Sequence, residues 1–196
     1  MIDVELDIGL DWSSSGFGQS EVEKAVDAAV KVAGLPGLAD YPSPVEVSIK
    51  LSDNEEVHAL NREWRDKDKP TNVLSFPALD EDELKNFRHP REGGGPTPAG
   101  AALIGQELGS RLRGNDEEME LLLGDIILAY GICADEAAEK GVPLAHHATH
   151  LVIHGMLHLL GHDHIDDTQA EAMEALEVKA LASMGLSNPY SDDSDQ

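Results

Sequence analysis

The residues best suited to chemistry are histidines, because seven of the nine fall between His146 and His164. His154 and His158 are four residues apart in an apolar segment, so a helix would place both imidazoles on one face, one turn apart. Gly161 can adopt the left-handed conformation that ends a helix, and the chain that turns back after it can supply a third imidazole, His164. Catalytic zinc sites use three protein ligands and keep a fourth position open. The pattern therefore predicts one zinc ion per chain, bound by His154, His158 and His164.

The other histidines of this segment leave alternatives open. His162 also follows the glycine and competes for the place of third ligand. His150 lies one turn before the first ligand, where it fits either a group that supports the ligands or an ordinary residue of the helix face. His146 and His147 stand near the predicted helix start, and we expect both in solvent. Histidines on an exposed helix face, or hydrogen-bonded within the core without metal, are the alternative to a zinc site.

The spacing of the three predicted ligands also matches that of metzincin proteases. Those enzymes carry a glutamate directly after the first histidine as general base, whereas this chain has Gly155 there. Peptide hydrolysis would then need a base from outside the motif, which weakens the protease interpretation. Asp125, His150 and His162 are candidates for a general base, although Asp125 equally fits a supporting or helix-entry role. Asp163 either orients a ligand or caps the turn.

A structural zinc is a further alternative, in which the chain would be a binding module and not an enzyme. Structural zinc sites are usually closed by cysteines, and this chain has one cysteine, Cys133. A single cysteine excludes an intramolecular disulfide and fits a reducing cytoplasm. Cys133 follows an apolar, strand-like run, so we expect a buried small hydrophobe in preference to a nucleophile.

Hydrophobic periodicity predicts the elements that position these residues. The predicted strands are Val4–Leu10, Val45–Leu51, Thr71–Phe76 and Leu121–Ala129. Five helices are predicted. The first opens with a capping box at Ser20–Glu23 and closes at Gly34, and the second is a short helix capped by Ser52 and Glu55, with Val57, Leu60 and Trp64 pointing inward. The other three lie near 131–139, 144–160 and 166–185. The order of elements indicates an α/β (α+β) domain with a small mixed sheet, about five helices and a metal site at a helix end.

The periodicity dissolves between Ala78 and about Glu120, which predicts a flexible insertion at 78–120 within one catalytic domain spanning 1–190. Arg91–Pro96 is rich in charges and helix breakers, and Ala101–Ile104 is a candidate edge strand. The segment 191–196 is expected to be a mobile acidic tail.

The overall charge restricts the class of partner. The formal net charge is −24, with 41% hydrophobic and 27% charged residues, which is typical of a globular domain and unusual for a protein that binds RNA by itself. The segment from His58 to Phe76 carries four lysines and arginines against three acidic residues, so any phosphate-binding surface should be sought there. The longest apolar run is too short to span a bilayer, and the N-terminus lacks a basic signal region. We expect a cytoplasmic protein without membrane contact.

With these motifs assembled, the chain resembles the bacterial YbeY family of endoribonucleases that mature ribosomal RNA. Three blocks carry the resemblance: Asn61–Arg65 continuing through Asp68–Pro77, then Leu123–Ile126, then His154–His164. The likeness runs from about residue 40 to 185, apart from the insertion. Two departures are the long stretch from Ala78 to Glu120 and His162, which occupies a position that is often aromatic in the family.

The resemblance implies a zincin-like fold and a single-strand-specific, zinc-dependent endoribonuclease. It implies action on ribosomal RNA, notably the 3′ end of the small-subunit RNA, and in ribosome quality control. By position, His154, His158 and His164 would be the zinc ligands, with His158 and Arg65 as catalytic residues. Arg65 would bind a phosphate, although an ion pair with Asp66 or Asp68 is the alternative. Because the chain is acidic, we expect the small ribosomal subunit and an assembly GTPase to help position the RNA.

Overall fold

The elements observed follow the predicted order closely. The structure, a computed structural model, describes residues 2–88, 112–113 and 120–191. The elements are β1 (Ile2–Ile8), a 3-10 turn (Leu10–Ser14), α1 (Gln19–Val32), α2 (Pro36–Ala39), β2 (Val45–Ser52), α3 (Asn54–Arg65), β3 (Val73–Pro77), α4 (Glu81–Arg88), β4 (Leu112–Arg113), β5 (Glu120–Ala129), α5 (Tyr130–Glu139), α6 (Leu144–Leu159) and α7 (Asp167–Ser183). Within the described residues, no helix is long and apolar enough to cross a membrane.

One mixed sheet organises the chain, in the order β1-β2-β5-β3. The strands β1, β2 and β5 are parallel, while β3 and the short β4 both run antiparallel to β5. Since β2 pairs along one side of β5, β3 and β4 share its other side. The predicted α/β class with a small mixed sheet is confirmed, and α1, α3, α5, α6 and α7 are the five helices that periodicity predicts.

The histidine helix α6 is held against the sheet by apolar packing. Most of its residues are buried, and its neighbours are α1, α5, α7 and the strands β3 and β5. Gly155 lies at the closest approach to the sheet, where an added Cβ would be 3.0 Å from Cγ2 of Ile126. On the opposite face of the sheet, Val57 of α3 packs with Leu74 and Ile127. The core thus fixes α6 before any ligand binds.

Two helix starts differ from the capping boxes that the sequence predicts. The N-cap of α1 is Gly18, whose N–H donates to the Glu21 carboxylate over 3.3 Å, so Ser20 lies inside the helix. The N-cap of α3 is Asp53, whose side chain accepts from the Glu56 N–H over 2.9 Å. Because β2 extends through Ser52, the cap moves one residue along to an aspartate, an equally good capping residue.

Part of the predicted insertion is regular structure. The helix α4 buries Leu84 and Phe87, and the Phe87 ring meets that of Tyr41 at 5.7 Å. Asp80 and Glu83 form a capping box at its start, a signal present in the sequence. The expectation that order is lost from Ala78 onward is therefore wrong for 81–88. The segments 91–96, 101–104 and 192–196 lie outside the described residues.

The inward orientation predicted for Trp64 is wrong. Val57 and Asn61 of the same helix face are buried, but the Trp64 side chain is 67% exposed. At this end of α3 the sheet offers only the edge strand β3, where Trp64 meets the ring of Phe76 at 6.4 Å. Helical spacing predicts which residues share a face, but it does not predict how far the opposing surface extends.

Candidate metal centre and its cleft

At the end of α6 the chain reverses direction. Gly161 has φ +81°, and its N–H donates to the His158 carbonyl while the His162 N–H donates to the Leu157 carbonyl. This pair of bonds is a Schellman motif, which satisfies carbonyls that a helix end leaves free. An added Cβ at position 161 would lie 2.8 Å from Cδ1 of Leu84. The left-handed cap predicted at Gly161 is confirmed, and it directs the chain toward His164.

The structure brings His154, His158 and His164 together. Each offers one ring nitrogen, and the three nitrogens lie within 4.8 Å of one another. The Nε2 atoms of His154 and His158 are 3.1 Å apart, and the His164 ring lies 5.5 Å and 5.0 Å from those two rings. Burial, with the imidazoles of His154 and His164 close by, lowers the pKa of His158 to about 4. His158 is therefore neutral near pH 7, the form in which an imidazole can bind a metal.

A buried glutamate that sequence reasoning missed supports this cluster. Glu177 of α7 is 1% exposed. One carboxylate oxygen accepts from His154 Nδ1 at 2.7 Å, and the other accepts from His150 Nε2 at 2.8 Å and from the Tyr190 hydroxyl. Burial alone would raise the pKa of Glu177, but these hydrogen bonds, from His150 and His154 first, lower it to about 2.

The contact with Glu177 decides which nitrogen of His154 is available. Since a carboxylate only accepts, Nδ1 carries the proton and Nε2 presents its lone pair to the other two histidines. The arrangement fits the donor set of a catalytic metal site, three imidazoles with at least one of them oriented by a carboxylate. The available signal for Glu177 in the sequence is an acid on the apolar face of α7, one turn after Met173.

The other histidines between His146 and His164 do not join the cluster. His162 turns toward α1, where its Nε2 lies 3.2 Å from the Ala33 carbonyl, so the structure does not favour it as third ligand. His150 is buried against Glu177, in agreement with a supporting role. His146 is exposed as expected. His147 is not, because it is 3% exposed and pairs with Glu136 of α5 at 2.7 Å.

The structure also separates the carboxylates near the site. Asp125 is exposed on the sheet face opposite α6, where it lines another cavity with Glu5 and Ser48. It therefore does not reach the histidines as a general base. Asp163 accepts from the His164 N–H at 2.8 Å and lies 3.9 Å from His158 Nδ1, so it caps the turn beside His158. Position 155, where metzincins carry their glutamate, faces Ile126 instead.

A cleft of about 810 Å³ opens in front of the three histidines. Its walls include Arg65, Arg88 and residues of the edge strand β3, such as Asn72. Arg65 is exposed. Among the described residues it forms no ion pair, whereas Asp68 pairs with His58 and Arg62. The ion-pair alternative for Arg65 is thus not observed, and its guanidinium is free to meet an anion in the cleft.

Comparison with known proteins decides the family. The family model described as Endoribonuclease YbeY matches residues 12–185. The chain belongs to the YbeY family. Relatives named Endoribonuclease YbeY include that of Sphingopyxis alaskensis, 45% identical over 98% of this chain and 99% of that protein, and that of Zymomonas mobilis, 44% identical over 98% and 94%. A solved protein from Thermotoga maritima aligns over 100% of this chain and 99% of its own with a TM-score of 0.48 and 19% identity.

The three sequence blocks that resemble YbeY proteins meet around the cleft. The first supplies Arg65 and β3, and the third supplies the histidines. The second contains Gly124, which has φ +141° and would place a Cβ 2.3 Å from the Phe76 carbonyl oxygen and 3.0 Å from Leu159 Cδ2. A residue without a side chain is required there so that β3 and the end of α6 can both approach β5. The YbeY blocks therefore combine the three clustered histidines, a cleft wall and the contact that joins the elements carrying them.

Proposed function

We propose that this endoribonuclease binds one zinc ion through His154, His158 and His164 and cuts single-stranded RNA in the adjoining cleft. The observation that carries the proposal is the convergence of three imidazole nitrogens, all within 4.8 Å of one another, in a cleft that also exposes Arg65. Zinc is the metal that three histidines at a hydrolytic site most often bind. The relatives that are named endoribonucleases support the reaction class.

The proposed role of each residue in the reaction follows from its position. Zinc, when bound, supplies Lewis-acid chemistry that activates water or polarises a phosphate oxygen. Arg65 binds the scissile or adjacent phosphate through its planar, permanently charged guanidinium and stabilises the charge that develops there. His158 acts as a catalytic residue through its place in the metal cluster. Glu177 holds His154 in the orientation that the cluster needs.

The substrate we propose is ribosomal RNA, with the 3′ end of the small-subunit RNA as the main site and ribosome quality control as a second task. Because the net charge is −24, the protein as a whole repels the phosphate backbone of RNA, and we expect it to bind free RNA weakly. We therefore propose that the small ribosomal subunit and an assembly GTPase present the RNA in the cytoplasm. Cleavage of naked RNA should be weak and should fall steeply as salt is added.

The first test compares wild type, His158→Ala and Arg65→Ala on a small-subunit RNA precursor with a single-stranded 3′ extension. We expect His158→Ala to lose both zinc and cleavage. Arg65→Ala should keep zinc and lose about two orders of magnitude in rate, as for other groups that stabilise transition-state charge. Arg62→Ala is the matched control, because Arg62 lies on the same helix but pairs with Asp68.

The outcomes separate the alternatives. Equal cleavage by wild type and His158→Ala would contradict the proposed site. Loss of zinc in Arg65→Ala would give that residue a structural role. If zinc removal unfolds the chain and neither the protein alone nor the protein with ribosomal subunits cuts RNA, the assembly module with a structural zinc is the better description. Cleavage of peptides by the zinc-loaded protein would favour a metalloprotease, which Gly155 and its contact with Ile126 argue against.

A further inference from the structure

An exposed tryptophan, Trp64, directly before Arg65 in the chain is the feature that the proposed function leaves unexplained. The chain has two tryptophans. Trp12 is 1% exposed and donates its indole N–H to the Ser52 carbonyl at 2.8 Å, whereas Trp64 is 67% exposed. Tryptophan is highly buried on average in folded proteins, so an indole left in water one residue before Arg65 is suited to contact a ligand.

The position of Trp64 in the chain indicates which kind of ligand its indole would contact. Its neighbour along α3 is Arg65, which lines the histidine cleft. Trp64 is not itself among the residues that line the cleft, so an RNA strand whose phosphate contacts Arg65 would meet the indole where the strand leaves the cleft around the edge strand β3. On its other side, the indole rests against the Phe76 ring at 6.4 Å, with the ring planes inclined by 70°. This edge contact orients the indole while most of its surface remains exposed.

The chain after Trp64 adds positive charge in a fixed loop. Asn61, which is 2% exposed, donates to the Lys69 carbonyl at 2.7 Å, and the Lys67 N–H donates to the Asn61 carbonyl at 3.2 Å. These bonds tie the loop to the end of α3. The side chains of Lys67 and Lys69 are exposed and form no ion pair among the described residues. Asp66 and Asp68 alternate with these lysines, so residues 65–69 carry three positive and two negative charges, a net charge of +1 in a chain whose net charge is −24. This local excess of positive charge favours a polyanion over an acidic or apolar protein partner.

We propose that Trp64 is a stacking platform for a base of the single-stranded RNA that enters the cleft, with Lys67 and Lys69 contacting the backbone beyond Arg65. The inference rests on the proposed function and identifies a recognition surface for its substrate. Stacking requires an unpaired base, because a base within a duplex is already covered on both faces. The platform therefore explains a preference for single strands that three histidines and an arginine do not provide by themselves.

The two tryptophans make the test direct. The His158→Ala protein, which should bind RNA without cutting it, is titrated with a fluorescently labelled single-stranded oligoribonucleotide at low salt. Binding is read from the anisotropy of the label, and tryptophan emission is recorded in parallel with unlabelled oligoribonucleotide. Because Trp12 is buried away from solvent, quenching on addition of RNA reports Trp64. We expect this quenching to disappear in Trp64→Phe.

Substitutions then measure the contribution of stacking. Trp64→Ala should weaken binding of the single strand about tenfold to hundredfold, the range found when a stacking aromatic is removed. Trp64→Tyr should restore most of the affinity, because any aromatic face serves. A duplex of the same sequence should bind equally to the His158→Ala parent and to its Trp64→Ala and Trp64→Tyr variants. Leu10→Ala removes another exposed apolar side chain, 93% exposed and outside the cleft lining, and should leave binding unchanged.

Failure of this inference can be told from failure of the proposed function. If RNA binds with unchanged tryptophan emission, and Trp64→Ala binds as tightly as its parent, the platform is refuted while the nuclease stands. The platform is also refuted if Trp64→Ala weakens association with ribosomal subunits but not with RNA, because Trp64 would then contact protein. If no RNA binds and the wild type cuts none, with or without subunits, the proposed function itself is refuted.

Discussion

Replacing Glu177 with glutamine should weaken zinc binding about 30-fold while leaving the fold intact. Glutamine keeps the size of the side chain and one oxygen that can accept from His154 Nδ1, but it removes the charge that strengthens the 2.7 Å bond. Its amide nitrogen is then turned toward His150 and the Tyr190 hydroxyl, two groups that now donate to a carboxylate oxygen.

The magnitude follows from the burial of this contact. Loss of a group that orients a metal ligand typically costs 10- to 100-fold in metal affinity, or about 1.4 to 2.7 kcal/mol. At an exposed site, water would replace the lost partner and keep the effect near the lower end. Glu177 is 1% exposed, so water cannot take its place. We therefore expect a value in the middle of the range, reduced from the upper end by the oxygen that glutamine retains.

Competition with a chromophoric chelator gives the zinc dissociation constant, and the visible spectrum of the cobalt-substituted protein reports the ligand geometry. The matched control is Glu171→Gln, which removes the same charge from an exposed position on the same helix and should leave the zinc affinity unchanged. A zinc affinity within twofold of wild type in folded Glu177→Gln would refute the reasoning. An apo protein that melts far below wild type would instead make Glu177 a residue of the core.

Two further predictions concern buried residues near the site. Gly155→Ala should lower the free energy of unfolding by about 1 to 3 kcal/mol in a urea titration, because its Cβ would meet Ile126 Cγ2 at 3.0 Å; unchanged stability would show that α6 can move away from the sheet. Burial, with Glu136 nearby, raises the pKa of Cys133 to about 12 from an ordinary value of 9.0, so iodoacetamide at pH 8 should label only unfolded protein. The same raised pKa stabilises the folded state below pH 9, and this stabilisation is lost as the pH rises toward 12, so the urea midpoint should fall across that window. Labelling of the folded protein by iodoacetamide at pH 8 would contradict the burial of Cys133.

The cluster of His154, His158 and His164 could be predicted from the sequence because its geometry is local. A spacing of four residues on a helix, a glycine that ends it and a histidine after the turn define the cluster without knowledge of the rest of the fold. The buried strands could be predicted for the same reason, since alternation along β2 and a continuous apolar run along β5 mark their environment directly.

The features that the sequence did not predict depend on contacts between distant elements. Glu177 is an acid on an otherwise apolar helix, and it becomes recognisable only when α7 is placed beside α6. Trp64 has the spacing of a buried residue, but no opposing surface covers it at the end of α3. Asp125 interrupts an apolar strand and so resembles a site residue, although strand alternation sends it to the other face of the sheet.

The three proposed metal ligands lie within one segment, 154–164, whereas Arg65 comes from a helix on the opposite face of the sheet. A change in the position of Arg65 can therefore alter the alignment of the substrate without altering the binding of the metal. A movement of α3 or of the loop that follows it would withdraw Arg65 from the cleft and leave the chelate undisturbed. A preparation with full zinc occupancy can accordingly be inactive, and a partner that rearranges α3 would control the rate of cleavage without exchanging the metal.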